Sequence, residues 1–328
     1  MKNNVWIVIT SINYPTQAVR DFAKLVKERG WSLLVVGDTK TPADWNCDGA
    51  IFLSIEKQYE LFPVIGQLIP VKHYCRKNLG YLYAIQQGAT VIIDTDDDNL
   101  PYEDFALQID QQVTAEVVGG SKWSNIYSYF SDDIIWPRGL PLKLIHEPGK
   151  ILGKETRKCL VQQSLADKDP DVDAIFRLVN KKDTYFKKTG NQYIIAGETY
   201  VPFNSQNTVF FSEAFPLMYL PCFVSFRMTD IWRSFIVKRV LNHMGASLSF
   251  HEATVWQDRN EHDLMRDFND EVIGYQQNEN IIAALDNADL TGLSVVDAIS
   301  KAWSSLHDIN IITEGELKNI NEWLSYFK

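Results

Sequence analysis

The stretch VIIDTDDDNLP, residues 91–101, decides the architecture of this chain. Its first three residues form a short apolar run of the kind that fills a buried strand. Four aspartates follow within five positions, 94 to 98. Carboxylates packed this closely repel one another unless a cation neutralises them. Asp96 and Asp98 are two apart, so in an extended segment they point the same way and can reach one divalent ion. A site built from hard oxygen ligands suits Mg²⁺ or Mn²⁺. The competing reading is a solvated acidic loop. The strand just before it carries the loop to a sheet end, which is where ligands collect in open α/β sheets.

Working outward, the flanking segments alternate between strand and helix. VWIVIT at 5–10, WSLLVVGD at 31–38 and AIFLS at 50–54 read as strands. Between the first two, TQAVRDFAKLVKER at 16–29 sets Val19, Phe22, Leu25 and Val26 on one helical face, and Gly30 follows as a C-cap. A second helix is predicted over 72–87, ended by Gly88. This alternation predicts an α/β fold: a mostly parallel nucleotide-binding sheet with helices on both faces. Thr10, Ser11, Asp38 and the aspartates at 94–98 all fall just beyond strand ends. The middle, roughly 115–210, is richer in turns, such as WPRGLP at 136–141 and DKDPDVD at 167–173, and reads as loops and strands around a site. A helix is predicted over 230–244, and further helical segments over 278–286, over 291–306 and from the capping-box spacing TEGE at 313–316. The expected organisation is one domain over 1–272, with halves 1–110 and 111–272, and a C-terminal helical extension over 273–328.

Composition narrows the function classes. The 328 residues carry 32 Lys plus Arg against 42 Asp plus Glu, a formal net charge of -10. Such an acidic balance argues against a nucleic-acid polymer as partner. Nine Trp, fourteen Tyr and seventeen Phe supply ample core material and argue against disorder. The cysteines at 47, 75, 159 and 222 form no CxxC grouping, so neither a zinc site nor a disulfide framework is expected. The apolar run Val5 to Ile9 is too short for a signal peptide, and the apolar stretch 214–226 is interrupted by Pro216 and Pro221 and reads as core. No transmembrane segment and a cytoplasmic location are the expectations.

Several side chains are candidates for chemistry. Arg76 and Lys77 open a helix, an end whose dipole disfavours cations, so they either meet an anionic ligand or snorkel at the surface. Asp38 is placed to accept from a ribose or base, or to cap its own turn. Asn204 to Asn207 form a polar knot that suits sugar hydroxyls or a self-satisfied turn. Asp230 is either a helix N-cap or a base for an attacking hydroxyl, with Arg227 and Arg233 near it. His251, Asp258 and His262 are metal or phosphate contacts by type, but their spacing matches no zinc motif. GxSxG, GxGxxG and P-loop signatures are missing.

Taken in order, GDTKTPADW (37–45), GAIFLS (49–54), RKNLGYLYAIQQGA (76–89), IIDTDDDN (92–99), WPRGLP (136–141), PDVDAIFRL (170–178), PFNSQNTVF (202–210) and TDIWRSFIVKRVL (229–241) resemble the STELLO-type glycosyltransferase-like proteins, also called the DUF288 family. The chain is more distantly similar to the plant reversibly glycosylated polypeptides. These motifs cover roughly residues 5–270 and leave the last fifty or so unassigned. The resemblance implies a GT-A-like sheet, a nucleoside-diphosphate sugar as donor and Mn²⁺ or Mg²⁺ on Asp96 and Asp98, with His262 as a further ligand. It implies that Thr10, Ser11 and Asp38 lie near the nucleoside, and Arg76 and Lys77 near the diphosphate. Asn204, Gln206 and Arg233 would then line the sugar and acceptor side; Asp230 is the catalytic base if the enzyme inverts, and no such base is required if it retains configuration. The implied acceptor is a carbohydrate, free or lipid-linked, which allows peripheral contact with the inner face of a membrane. A sugar-nucleotide mutase and a non-catalytic sugar-nucleotide-binding partner are the alternatives within the same resemblance.

Overall fold

A computed structural model describes residues 3–107, 109–180, 182–259 and 263–328. Its first half is built as the apolar runs require. β1 (Val5–Thr10) leads into α1 (Gln17–Arg29), which Thr16 caps by accepting from the Val19 amide and Gly30 ends in the left-handed conformation at φ 68°. β2 (Ser32–Val36) and β3 (Ala50–Leu53) follow, then α2 (Ile55–Leu61), the short α3 (Ile65–Leu68), α4 (Lys77–Gln86) and β4 (Val91–Thr95). β1 pairs in parallel with both β2 and β4, and β2 with β3. The chain therefore steps from β1 to β2 through α1 and later crosses back past β1 to β4 through α4. Because such crossovers are right-handed, the two connections lie on opposite faces. Gly80 lets α4 sit close on the sheet: a Cβ there would lie 2.4 Å from Val36 Cγ2 and 2.8 Å from Val8 Cγ1.

The second half adds β5 (Asn99–Pro101), β6 (Gln112–Gly119), β7 (Lys150–Asp167), α5 (Ala174–Val179), β8 (Gln192–Ile195), β9 (Asn207–Phe211), α6 (Thr229–His243) and β10 (Ser247–Gln257). All ten strands join one sheet in the order β3-β2-β1-β4-β9-β7-β6-β8-β10-β5, with β7 also pairing β10. From β9 onward the pairing is chiefly antiparallel, so the sheet expected to be mostly parallel is mixed. The physical reason lies in the connections. The turn-rich middle returns its strands through long irregular connections, as over residues 120–149 between the antiparallel β6 and β7, where the first half supplies crossover helices.

The chain ends in α7 (Leu264–Asn287), α8 (Val295–Asp308) and α9 (Glu314–Ser325). α7 runs unbroken through residue 272, so the domain boundary expected there falls inside a helix. The hydrophobic core is continuous from Val5 in β1 to Leu324 in α9. Two contacts fasten the last helix. Trp323 donates from Nε1 to the Pro216 carbonyl at 2.8 Å, and the buried Glu316 accepts from the Tyr219 hydroxyl and from the amides of Cys222 and Phe223. The 214–226 stretch is accordingly core, with Phe215, Leu217, Met218 and Leu220 buried, although Phe223 is 48% exposed. Among the described residues no helix is long and apolar enough to cross a membrane, and all four cysteines are free.

Candidate active site

The strand order reverses direction between β1 and β4, the position at which open α/β sheets bind ligands beyond their carboxyl ends. β9 runs antiparallel to β4 with Asn207 opposite Thr95, so its amino end, preceded by the 204–206 turn, arrives at the same sheet edge. β10 delivers Gln257 beside Asn99. Two adjoining cavities open there. The first, about 280 Å³, includes Asp96, Asp98, Asn204, Gln206, Asp230 and Arg138 in its lining. The second, about 400 Å³, includes Ser11, Gly37, Asp38, His73 and Arg76. Thr10, Tyr74, Asp97 and Phe226 line both.

The acidic loop is held from three directions. The Ser11 hydroxyl donates to Asp97 Oδ2, as does Asn13 Nδ2, and the Thr16 hydroxyl that caps α1 also donates to the Asp97 carbonyl. Beneath it the wholly enclosed Lys77 ammonium donates to Asp94 Oδ1 at 2.9 Å, to the Thr95 carbonyl at 2.8 Å and to Asp96 Oδ1 at 2.9 Å. Gln257 Nε2 donates to Asp98 Oδ2 at 3.0 Å, while Asp98 Oδ1 is buried without a hydrogen-bond partner among the described residues. Burial raises the Asp96 carboxyl to about 6 against the pull of Lys77. Burial, with Asp96 and Asp97 adding repulsion, raises Asp98 to about 7. Both groups therefore sit where the gain of a cation is most favourable. Among the described residues no group of three or more ligating side chains could hold a metal by itself. Mg²⁺ held by one or two carboxylates and completed by substrate phosphates requires no such cage.

Across the first cavity stands a buried network centred on Arg138. Its guanidinium donates to both oxygens of Asp171 at 2.8 Å and to both oxygens of Asp230 at 3.1 Å. Asp230 lies in the first turn of α6, where the helix dipole favours an acid, and its Oδ2 also accepts from the Ser205 amide at 3.2 Å. Burial alone would raise its pKa, but the adjacent Arg138 holds it below the ordinary carboxylate value.

Similarity to known proteins decides the family. The chain is 32% identical over 276 residues to "Probable glycosyltransferase STELLO1" of Arabidopsis thaliana, a match covering 76% of this chain and 35% of that protein. It is 32% identical over 274 residues to "Probable glycosyltransferase STELLO2" of the same plant, with the same shares. The family model for STELLO glycosyltransferases matches residues 227–328. The chain belongs to the STELLO family. It spans about a third of the length of these two relatives. The matched segment includes α7 to α9, the part in which no motif was legible.

Most of the residues expected to act gather around these two cavities, but in unequal positions. Thr10, Asp96, Asp98, Asn204, Gln206 and Asp230 line the first cavity, and Thr10, Ser11, Asp38 and Arg76 the second. Asp38 also satisfies its own turn, accepting from the amides of Thr39 and His73. Arg76 spends Nε on Gln58 and Nη1 on the Gly66 and Ile69 carbonyls, which leaves the buried Nη2 without an acceptor among the described residues. Lys77 and Arg233 line neither cavity. Both are fully buried counter-charges to Asp94, Arg233 from the opposite side at 3.2 Å, so neither is exposed to meet a diphosphate or a sugar. His251 bonds Ser249 and lines a separate cavity with Asp104 and Glu252, Asp258 pairs with Lys168, and His262 lies outside the described residues. Sequence reasoning missed Arg138 and Asp171, although both stand within quoted motifs, WPRGLP and PDVDAIFRL. It also missed Gln257, Tyr74, Lys40 and Lys72 and, among the arginines of the first cavity, Arg177 and Arg259.

Proposed function

We propose that this chain is a metal-dependent glycosyltransferase of GT-A-like fold. It moves a sugar from a nucleoside-diphosphate sugar to a hydroxyl of a glycan or lipid-linked glycan, in the synthesis of a surface polysaccharide. A cytoplasmic site at the inner membrane face goes with a lipid-linked acceptor. One observation carries the reading: two adjoining cavities at the β1/β4 end share Asp97, and the first also holds the unpartnered Asp98 Oδ1. That division suits a ligand with a nucleoside at one end and a sugar at the other. The second cavity, with Asp38, Lys40, Lys72 and the aromatic Tyr74 and Phe226, suits the nucleoside.

The unsatisfied oxygen and the elevated carboxyl pKa values at Asp96 and Asp98 fit a hard divalent cation, Mn²⁺ or Mg²⁺, with those two residues as its protein ligands. Such a cation supplies compensation for the negative charge on a departing nucleoside diphosphate. Lys77 fixes the orientation of Asp96, and Gln257 that of Asp98. Asn204 and Gln206 present amide groups to sugar hydroxyls. Asp230 accepts the hydrogen bond of the attacking hydroxyl, and Arg138 sets its basicity: while both guanidinium bonds persist the carboxylate is a weak base.

The D96N/D98N double variant is expected to lose metal-dependent turnover of sugar nucleotides while keeping its circular dichroism spectrum. Full activity in that protein would sink the metal assignment. Donor incubated with enzyme and acceptor should release free nucleoside diphosphate. A rearranged sugar ring still attached to its nucleotide would instead mean a mutase.

A further inference from the structure

Three arginines that the proposed chemistry leaves idle share one wall of the first cavity: Arg177, Arg227 and Arg259. Their side chains are only 11%, 11% and 9% exposed. Each is anchored by one carboxylate: Arg177 by Asp169, Arg227 by Glu271 at 2.9 Å and Arg259 by Asp267 at 3.0 Å. Glu271 is itself fixed, accepting from the Ala174 amide and the Tyr275 hydroxyl. A guanidinium carries five N–H donors, so one carboxylate does not exhaust it. The buried Nε groups of Arg177 and Arg259 have no acceptor among the described residues.

The three cations also oppose one another. Burial lowers the Arg177 pKa well below its usual value, with Arg259 and Arg227 adding repulsion, and burial with repulsion from Arg227 brings Arg259 down to about 10. Buried donors left unpaired cost stability unless a ligand completes them. Planar forks of this kind match a carboxylate or a phosphate.

Position separates this wall from the donor's diphosphate. The cavities meet at Asp97, beside the acidic loop, whereas the three arginines line the first cavity and not the second. If the nucleoside fills the second cavity, as proposed above, the arginines face what lies beyond the diphosphate. We propose that Arg177, Arg227 and Arg259 bind an anionic group, a carboxylate or phosphate, carried by the transferred sugar or by the acceptor. This inference rests on the donor reading for its orientation, and on the arginine wall itself for its chemistry.

Calorimetry on the whole chain tests it, with inorganic phosphate, glucuronate and glucose as probes, before and after saturation with uridine or guanosine diphosphate and Mn²⁺. Phosphate and glucuronate are expected to bind the saturated protein at least tenfold more tightly than glucose. R177Q/R259Q should weaken both anions at least tenfold and change nucleoside-diphosphate affinity less than threefold. R259K, which keeps the charge but loses the planar fork, should bind phosphate more weakly than the wild type and more tightly than R259Q. The single variants R177Q and R259Q are measured alongside, so that loss of the fold in the double variant leaves two readings. The inference is overturned if neither anion binds the saturated protein, or if the variants bind both as the wild type does. It is equally overturned if R177Q/R259Q loses nucleoside-diphosphate affinity tenfold, which would assign the arginines to the donor's diphosphate. Failure of every nucleoside diphosphate to bind would sink the donor reading alone; phosphate binding abolished in R177Q/R259Q would still support the anion site. A tenfold preference for a nucleotide hexuronate over the matching nucleotide hexose, lost in R177Q/R259Q, places the anion on the sugar. Displacement of bound phosphate by a phosphorylated glycan, and not by its neutral form, places it on the acceptor.

Discussion

Replacing Lys77 with Met removes the buried cation beneath the acidic loop while keeping the length and bulk of the side chain. In the native protein that ammonium is wholly enclosed and bonded to Asp94, Thr95 and Asp96. Its pKa is raised: burial opposes the charge, but Asp94 and Asp96 outweigh it. Breaking a buried pair by removing one partner costs about 3–5 kcal/mol, because the remaining charge is left uncompensated. Asp94 keeps Arg233, whereas among the described residues Asp96 keeps no other cation within ion-pair distance; its side chain is 38% exposed, so water draws the cost toward the lower end of that range. With an unfolding entropy of about 2.1 cal/mol/K per residue over 328 residues, that cost corresponds to a fall in Tm of about 4–7 °C. Adding D96N to K77M removes the uncompensated carboxylate and should return about 1–3 kcal/mol as non-additivity in a double-mutant cycle. Differential scanning calorimetry of the four proteins at pH 8 measures it. If K77M melts within 1 °C of the wild type, or the two substitutions are additive, Lys77 does not neutralise the loop and the account given of Asp96 is wrong.

Four further outcomes are expected. Mn²⁺ should raise the Tm of the wild type at pH 8 and lose that effect as pH falls through about 7 and then 6, where Asp98 and Asp96 gain protons; D98N should show little stabilisation at any pH, and a chelator should reverse the effect. His251 is held at about 4 by burial, below its unfolded value of 6.5, so the unfolded chain binds the extra proton between those values and stability falls as pH drops from about 6.5 to 4. Urea unfolding across that window should show H251Q losing less stability than the wild type, the gap growing to at most about 3 kcal/mol. G80A should cost about 1–3 kcal/mol by forcing α4 away from Val36 and Val8, and an unchanged urea midpoint would contradict the close packing described for that helix. R138L should be more destabilising than D171N, because it strands Asp171 and Asp230 together, and thermal melts of the two variants rank them directly.

Legibility tracked burial and distance along the chain. β1, β2 and β4 are buried on both faces and read as unbroken apolar runs, so the sheet's first half was visible residue by residue. β7 was hidden because its first seven residues, Lys150 to Thr156, are all exposed and mix charged Lys150, Lys154 and Glu155 with apolar Ile151 and Leu152, so no apolar period marks a buried face. The acidic loop was legible because its charge density is local. The fate of its counter-charges was not: Arg233 meets Asp94 across 139 positions, and Arg138 meets Asp230 across 92. A basic side chain near a sheet end looks the same in sequence whether it faces a ligand or a buried aspartate. Asp38 shows the middle case, lining a cavity while it closes its own turn.

Glu316 has a consequence for how the chain can be cut. Its carboxylate receives the amides of Cys222 and Phe223 and the Tyr219 hydroxyl, and that segment runs directly into Phe226 and Arg227, both in the wall of the first cavity. The last helix is thus tied to the wall of the first cavity through a buried acid. Trimming the protein before residue 314 would strip three donors of their acceptor and slacken a loop nearly a hundred residues upstream. Any fragment meant to keep that wall in place has to include residue 316.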